Sequence, residues 1–148
     1  MLASCTLKTN ITKIRVSFKN TTEVANAIKK MNLEKAKEFL KNVIDKKNII
    51  PFKKFNNGVG KSPMLRNKVS KQGRFVTKSC ILLLKLLINV TTRIRISKND
   101  PNLYYLDKII VNRNSYRTRT IFRAFGRANR IRSSICSVSI QLKKYEYI

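Results

Sequence analysis

Val111–Ser134 reads VNRNSYRTRTIFRAFGRANRIRSS. Seven of the chain's twelve arginines fall here, at Arg113, Arg117, Arg119, Arg123, Arg127, Arg130 and Arg132, with no lysine and no acid among them. Strand-like sequence flanks the stretch. Leu106 to Val111 precedes it and Ile135 to Leu142 follows. In the second flank Cys136, Val138, Ile140 and Leu142 share one face, while Ser137, Ser139, Gln141 and Lys143 share the other. Strict alternation of this kind marks a half-buried strand. Two such arms around a centre containing Gly126 predict a long β-hairpin. At about 3.3 Å per residue, ten extended residues in each arm reach roughly 30 Å. A bare two-stranded ribbon is marginal in water even without its charge. This one is therefore expected to lie against a polyanion.

The composition of the whole chain agrees. Its 148 residues carry a net charge of +26. Like charge on that scale opposes the compact state until counterions or a partner neutralise it. The seven acids are unevenly spread, with none between Asp45 and Asp100 and none between Asp107 and Glu146. Acid-free tracts of this length point to contact with phosphate, and folded RNA is the expected partner. Hydrophobic residues make up 43% of the chain, and a chain of this size can bury roughly 68–70% of its unfolded surface, so one core is expected. Cys5, Cys80 and Cys136 stand far apart and there is no histidine, so no zinc site is expected. The odd cysteine count fits reduced thiols in an intracellular compartment. Cys80 and Cys136 lie in apolar patterns, as small core residues do. Met1 to Thr12 is too short and polar for a secretory leader. The most apolar run, Cys80 to Val90, is interrupted by Lys85 and is well short of the ~20 residues a membrane span needs. Membrane insertion and cofactors are not expected.

Upstream of the arginine stretch the pattern predicts one strand and three helices. Ile14, Val16 and Phe18 alternate with polar residues, as in a short strand. Asn20 offers a helix cap to which Glu23 could reach back, and Val24, Ala27, Ile28 and Met31 follow at helical spacing. Asn32 reads as a second cap before the stripe Ala36, Phe39, Leu40, Val43 and Ile44. Lys35, Lys37, Lys41 and Lys47 lie largely off that stripe, either as a solvated face or as a phosphate contact. From Thr77 or Lys78 a third helix, carrying Ile81, Leu82, Leu84, Leu86, Leu87 and Ile88, is apolar almost all round and is expected to be buried on most sides, with its pattern fraying from Thr91 to Ser97. Lys98 to Pro101 reads as a turn, and Tyr145 to Ile148 as a short tail. The order strand, three helices, hairpin gives an α+β fold, with helices on one face of a small antiparallel sheet.

Between the second and third helices, Pro51 to Gly73 (PFKKFNNGVGKSPMLRNKVSKQG) has little periodicity and holds three of the four glycines. Long irregular loops are uncommon unless functional. Gly58 and Gly60 would permit close backbone approach. Their G-x-G spacing neither completes a dinucleotide fingerprint nor opens a helix after a strand. Cations interleaved with Phe52 and Phe55 fit RNA, where phosphates take the charges and bases stack on rings. The alternative is an ordered loop whose Phe side chains plug the core.

Several strings together resemble the L-twenty-two family of large-subunit ribosomal proteins (eukaryotic L-seventeen), in its archaeal and eukaryotic form. They include Arg15-Val-Ser-Phe-Lys-Asn-Thr21, Pro51-Phe-Lys-Lys-Phe-Asn-Asn-Gly-Val-Gly60, Gln72-Gly-Arg74, Lys78-Ser79 and Thr120-Ile-Phe-Arg-Ala-Phe-Gly-Arg127 with Asn129. The likeness covers roughly Arg15 to Val138. The chain departs from the family's usual Trp-Pro at Phe75-Val76, His at Phe125 and Pro at Ile135. The resemblance implies three helices on a three-stranded sheet with a long protruding basic hairpin. It also implies a body on ribosomal RNA near the mouth of the peptide exit tunnel, with the hairpin running inward. Arg119, Phe122, Arg123, Phe125, Gly126, Arg127 and Asn129 would then form the tunnel-lining tip.

Residues 1–148 are thus expected to form one domain, with 13–111 and 134–144 as the globular part, 51–76 as a basic RNA-binding loop and 112–133 as the extended hairpin. Candidate RNA contacts are Arg15, Lys19, Lys53, Lys54, Asn56, Lys61, Arg74 and Lys78, together with Arg113, Arg117, Arg119, Arg123, Arg127, Arg130 and Arg132. No catalytic constellation is legible, since the chain has no histidine, no clustered carboxylates and no nucleophile beside a base. The expected partners are large-subunit ribosomal RNA, neighbouring large-subunit proteins and the nascent polypeptide, on the cytoplasmic ribosome. A free-standing nucleic-acid module, a cationic membrane-surface protein and an RNA-modifying enzyme are the rival readings.

Overall fold

The computed structural model describes residues 6–67 and 70–145. The expectations for Cys5, for the start of the chain before Thr6 and for Glu146 to Ile148 lie outside the described residues. The elements run β1 (Thr6–Ile14), α1 (Phe18–Ile28), α2 (Leu33–Ile44), β2 (Ile50–Pro51), β3 (Gly73–Arg74), α3 (Thr77–Ile96), β4 (Tyr104–Phe122) and β5 (Ala128–Lys144). β1, β5 and β4 form a three-stranded antiparallel sheet in that order. β2 and β3 form a separate two-stranded ladder. This is the expected α+β class.

β5 is the central strand, which explains why its alternation is the cleanest. Cys136, Val138, Ile140 and Leu142 are at most 1% exposed. Leu106 pairs with Leu142, Ile109 with Ile140 and Val111 with Val138, so β4 presents its apolar residues to the same side. One core cluster joins that side to Val24 and Ile28 of α1, Ala36, Leu40 and Val43 of α2, and Leu83, Leu86, Leu87, Val90 and Ile94 of α3.

The strand expected across Ile14 to Phe18 lies earlier. β1 ends at Ile14 and Phe18 opens α1. A register shift between Ile11 and Ile14, where Lys13 takes a positive φ of 57°, moves the alternation by a residue. Extra residues of this kind re-phase a strand. Ser17, not Asn20, is the N-cap of α1, and Met31 lies beyond the helix. Met31 and Lys30 instead bond the sheet. Leu106 N–H donates to the Met31 carbonyl at 2.9 Å, and Lys30 N–H donates to the Leu106 carbonyl at 2.8 Å. The Asn32 cap holds as expected, its side chain accepting from Glu34 N–H at 3.2 Å.

α3 does not fray at Thr91. It stays regular to Ile96, because Val90 and Ile94 are buried and the Thr91 hydroxyl donates within the helix to Leu87 O at 2.7 Å. Nor is α3 buried on most sides. Ile81 and Ile88 are 42% and 45% exposed and flank Lys85 in an open stripe. Tyr145 is tied down rather than loose. Its N–H donates to Leu103 O at 2.8 Å, and its ring lies 4.8 Å from that of Tyr105. Among the described residues, no helix is long and apolar enough to cross a membrane.

Candidate nucleic-acid interface

The irregular stretch after Pro51 is ordered by one buried acid. Glu23 is 1% exposed. Its carboxylate accepts from the backbone N–H groups of Lys53 (3.1 Å), Lys54 (2.8 Å) and Phe55 (2.7 Å). Charge-assisted bonds of this kind are roughly twice as strong as neutral ones. Glu23 is therefore no helix cap; it is the anchor of the basic loop. One sequence signal pointed there: Glu23 is one turn before Ala27, on the apolar stripe of α1, where a solvated carboxylate has no place.

Phe52 is 2% exposed and belongs to the core, so it cannot stack on a base. Phe55 is half-buried, edge-on to Phe18 at 6.0 Å. The Lys19 and Lys54 ammonium groups lie 5.8 and 5.7 Å from its ring centre. Such contacts align cations on an apolar platform. Lys53, Asn56 and Lys61 meet Lys71 around one concavity of about 450 Å³. Arg74 is partly committed, donating to Gly58 O at 2.8 Å.

The expected close backbone approach falls at Gly73, not at Gly58 or Gly60. A Cβ at Gly73 would meet Ile50 O at 2.5 Å, whereas nothing lies within 4 Å of one at the other two. Gly58 serves instead through its positive φ of 69°, a conformation other residues rarely take.

The arginines of β4 and β5 are sorted by register. Thr118 faces Arg132, Thr120 faces Arg130, Arg117 faces Ser133 and Arg119 faces Ile131. Paired residues share a face of a sheet. Arg117 and Arg119 therefore stand on one face, Arg130 and Arg132 on the other, and none of these four is directly opposite another arginine. Like charges directly opposed would destabilise the pair. At the base of this region the Arg113 guanidinium lies 4.9 Å from the Phe18 ring centre and 5.7 Å from that of Tyr116, and Arg132 lies 6.0 Å from Tyr116. At the turn, Arg123 N–H donates to Arg127 O at 2.8 Å. Phe125 and Gly126 both take positive φ, 60° and 67°, and Phe122 and Phe125 are 82% and 98% exposed. Asn129 pairs with Ile121 beside them.

Arg15, Lys78 and Arg132, far apart in sequence, line one cleft beside the starts of α1 and α3. By contrast, the outer side of α2 mixes charges, with Glu34, Lys35, Lys37, Glu38 and Lys41 around one shallow hollow. Those lysines have acids for neighbours, which favours the solvated-face alternative. The two core thiols, Cys80 and Cys136, are buried and unpaired with each other. Burial pushes Cys80 up to about 12 and raises Cys136, against a smaller lowering by the Arg113 charge.

Residues 10–143 match the family described as ribosomal protein L22p/L17e. The chain is 40% identical over 146 residues to "Large ribosomal subunit protein uL22" of Phlebotomus papatasi, covering 99% of this chain and 78% of that one. Against the protein of the same name from Carabus granulatus it is 41% identical over 145 residues, with 98% and 80% covered. Against that of Podocoryna carnea it is 42% identical over 135 residues, with 91% and 74% covered. The chain therefore belongs to the ribosomal protein L22p/L17e family, as a structural protein of the large ribosomal subunit rather than an enzyme.

Proposed function

We propose that the chain binds and stabilises large-subunit ribosomal RNA, and that the tip between β4 and β5 lines the channel by which the nascent polypeptide leaves. The observation that carries this reading is the arginine arrangement beyond the core. Every residue from Arg117 to Arg132 is exposed, and the arginines stand on both faces of the strand pair. A ribbon charged on both faces suits insertion between RNA segments. Each guanidinium can bond two phosphate oxygens or stack on a base. The body, 13–111 with 134–144, would sit on RNA at the ribbon's base, and the loop 51–76 would make a second contact through Lys53, Lys54, Asn56 and Lys61. Neutralising phosphates where RNA segments converge supports subunit assembly and, through it, translation on the cytoplasmic ribosome. The mixed-charge side of α2 suits a protein neighbour better than RNA.

Binding of the purified chain to large-subunit RNA fragments tests the first part. With roughly 6–10 phosphate contacts, affinity is expected to fall about 10³–10⁵-fold between about 50 and 200 mM salt. A flat salt response would contradict it. The second part is tested with a photoreactive side chain at Phe125 in ribosomes stalled during synthesis. A crosslink to the nascent chain is expected, and its absence would remove the tunnel assignment while leaving RNA binding in place.

A further inference from the structure

We infer that the cleft between the start of α1, the start of α3 and β5 holds a single unstacked RNA nucleotide. This rests on the RNA-binding reading above. The cleft measures about 510 Å³, within the roughly 300–1,000 Å³ of sites that enclose small molecules. Its walls come from three separate places: Arg15 and Ser17 at α1, Phe75 and Lys78 at α3, and Arg132 on β5. No acid lines it. The one ion pair among the described residues, Lys143 with Asp107, is not among its walls. Three cations gathered at one concavity without a counter-charge repel one another, and an anion between them relieves that repulsion.

The walls are fixed to each other, so the cleft exists before any ligand arrives. The Thr21 and Ser79 hydroxyls meet at 3.0 Å and join α1 to α3. Ser134 Oγ donates to Val16 O at 2.8 Å and joins β5 to the segment before α1. The helix starts reinforce the cationic character. Neither Ser17 nor Val76 caps its helix through a side chain, and neither first turn carries an acid. Leading amides left in this state carry partial positive charge.

Phe75 distinguishes a nucleotide from a bare phosphate. It is a large apolar side chain left 39% exposed, on the wall of a cleft whose other residues, Val16 and Val76 apart, are cationic or polar. An aromatic face beside a cationic pole matches a base joined to its own phosphate. Paired RNA cannot offer that combination, because its bases are stacked inside the helix. A bulge or loop can.

The test uses the full chain and two RNA hairpins, one fully paired and one with a single bulged nucleotide. The bulged RNA is expected to bind more tightly, and Phe75→Leu is expected to remove about 10-fold of that affinity while leaving the paired RNA unchanged. Thermal unfolding checks that the variant is folded. A photoreactive uridine at the bulge, with the unaltered chain, gives an independent readout: an adduct at Phe75 supports the site, and adducts only elsewhere overturn it. Equal binding of both RNAs, indifferent to Phe75→Leu, overturns the cleft and leaves general RNA binding standing. No salt-sensitive binding to either RNA overturns both.

Discussion

Between Leu106 and Val111, β4 lies beside β5 with one face on the core, and Leu106, Val138, Ile140 and Leu142 are at most 1% exposed. Between Arg117 and Phe122 the same two strands continue, still antiparallel and still paired residue by residue, with every side chain in the open. The backbone is alike in the two halves; the surroundings are not. In the first half, apolar area removed from water holds the ladder, at roughly 25 cal/mol per Å². In the second half there is almost no such area, and the cationic side chains repel. Strand pairing therefore does not reveal what stabilises a strand. On the proposed reading, RNA supplies the partner that the chain itself does not provide from Arg117 to Arg132.

The contrast is sharpest in truncations. Leu106→Ala removes a fully buried side chain and is expected to cost about 2–5 kcal/mol in urea unfolding of the free chain. Glu23→Ala comes next. It strips the acceptor from three part-buried backbone N–H groups of the loop and is expected to cost about 1–3 kcal/mol, the penalty of one donor that water cannot reach, because Lys53 and Lys54 are exposed and solvent can take up the rest. In the outer half, Ile121→Ala is expected to stay within about 0.5 kcal/mol, as at other exposed sites, although Ile121 is as regularly paired as Leu106. Equal losses at Leu106 and Ile121 would abolish the distinction between the halves.

The inner half was the more legible in the sequence, and for the same reason. Cys136, Val138, Ile140 and Leu142 alternate because β5 is flanked on both edges and covered on one face. α2 was legible because Asn32 caps it and its stripe is uninterrupted. β1 was not, because its inward positions include Thr9 and its register slips by one residue before Ile14, so the clear apolar alternation begins only where the strand ends. Glu23 was misread because a carboxylate three residues after Asn20 fits a capping box as well as it fits a buried anchor. Only the distant backbone of Lys53 to Phe55 decides between the two. The pairing of Arg117 to Phe122 with Ala128 to Ser133 sorts the arginines onto two faces, and that sorting depends on the irregularity between Arg113 and Tyr116. The cleft of Arg15, Lys78 and Arg132 joins three segments that no local pattern connects.

Amide hydrogen exchange on the free chain and on the chain within the large subunit tests the central claim most directly. In the free chain the β5 amides from Val138 to Leu142 are expected to be protected near the global unfolding limit, while those from Arg117 to Phe122 and from Asn129 to Arg132 exchange rapidly. In the subunit both sets are expected to be protected. Full protection of the outer set in the free chain would show that the ribbon holds itself together, and would contradict the claim that RNA stabilises it.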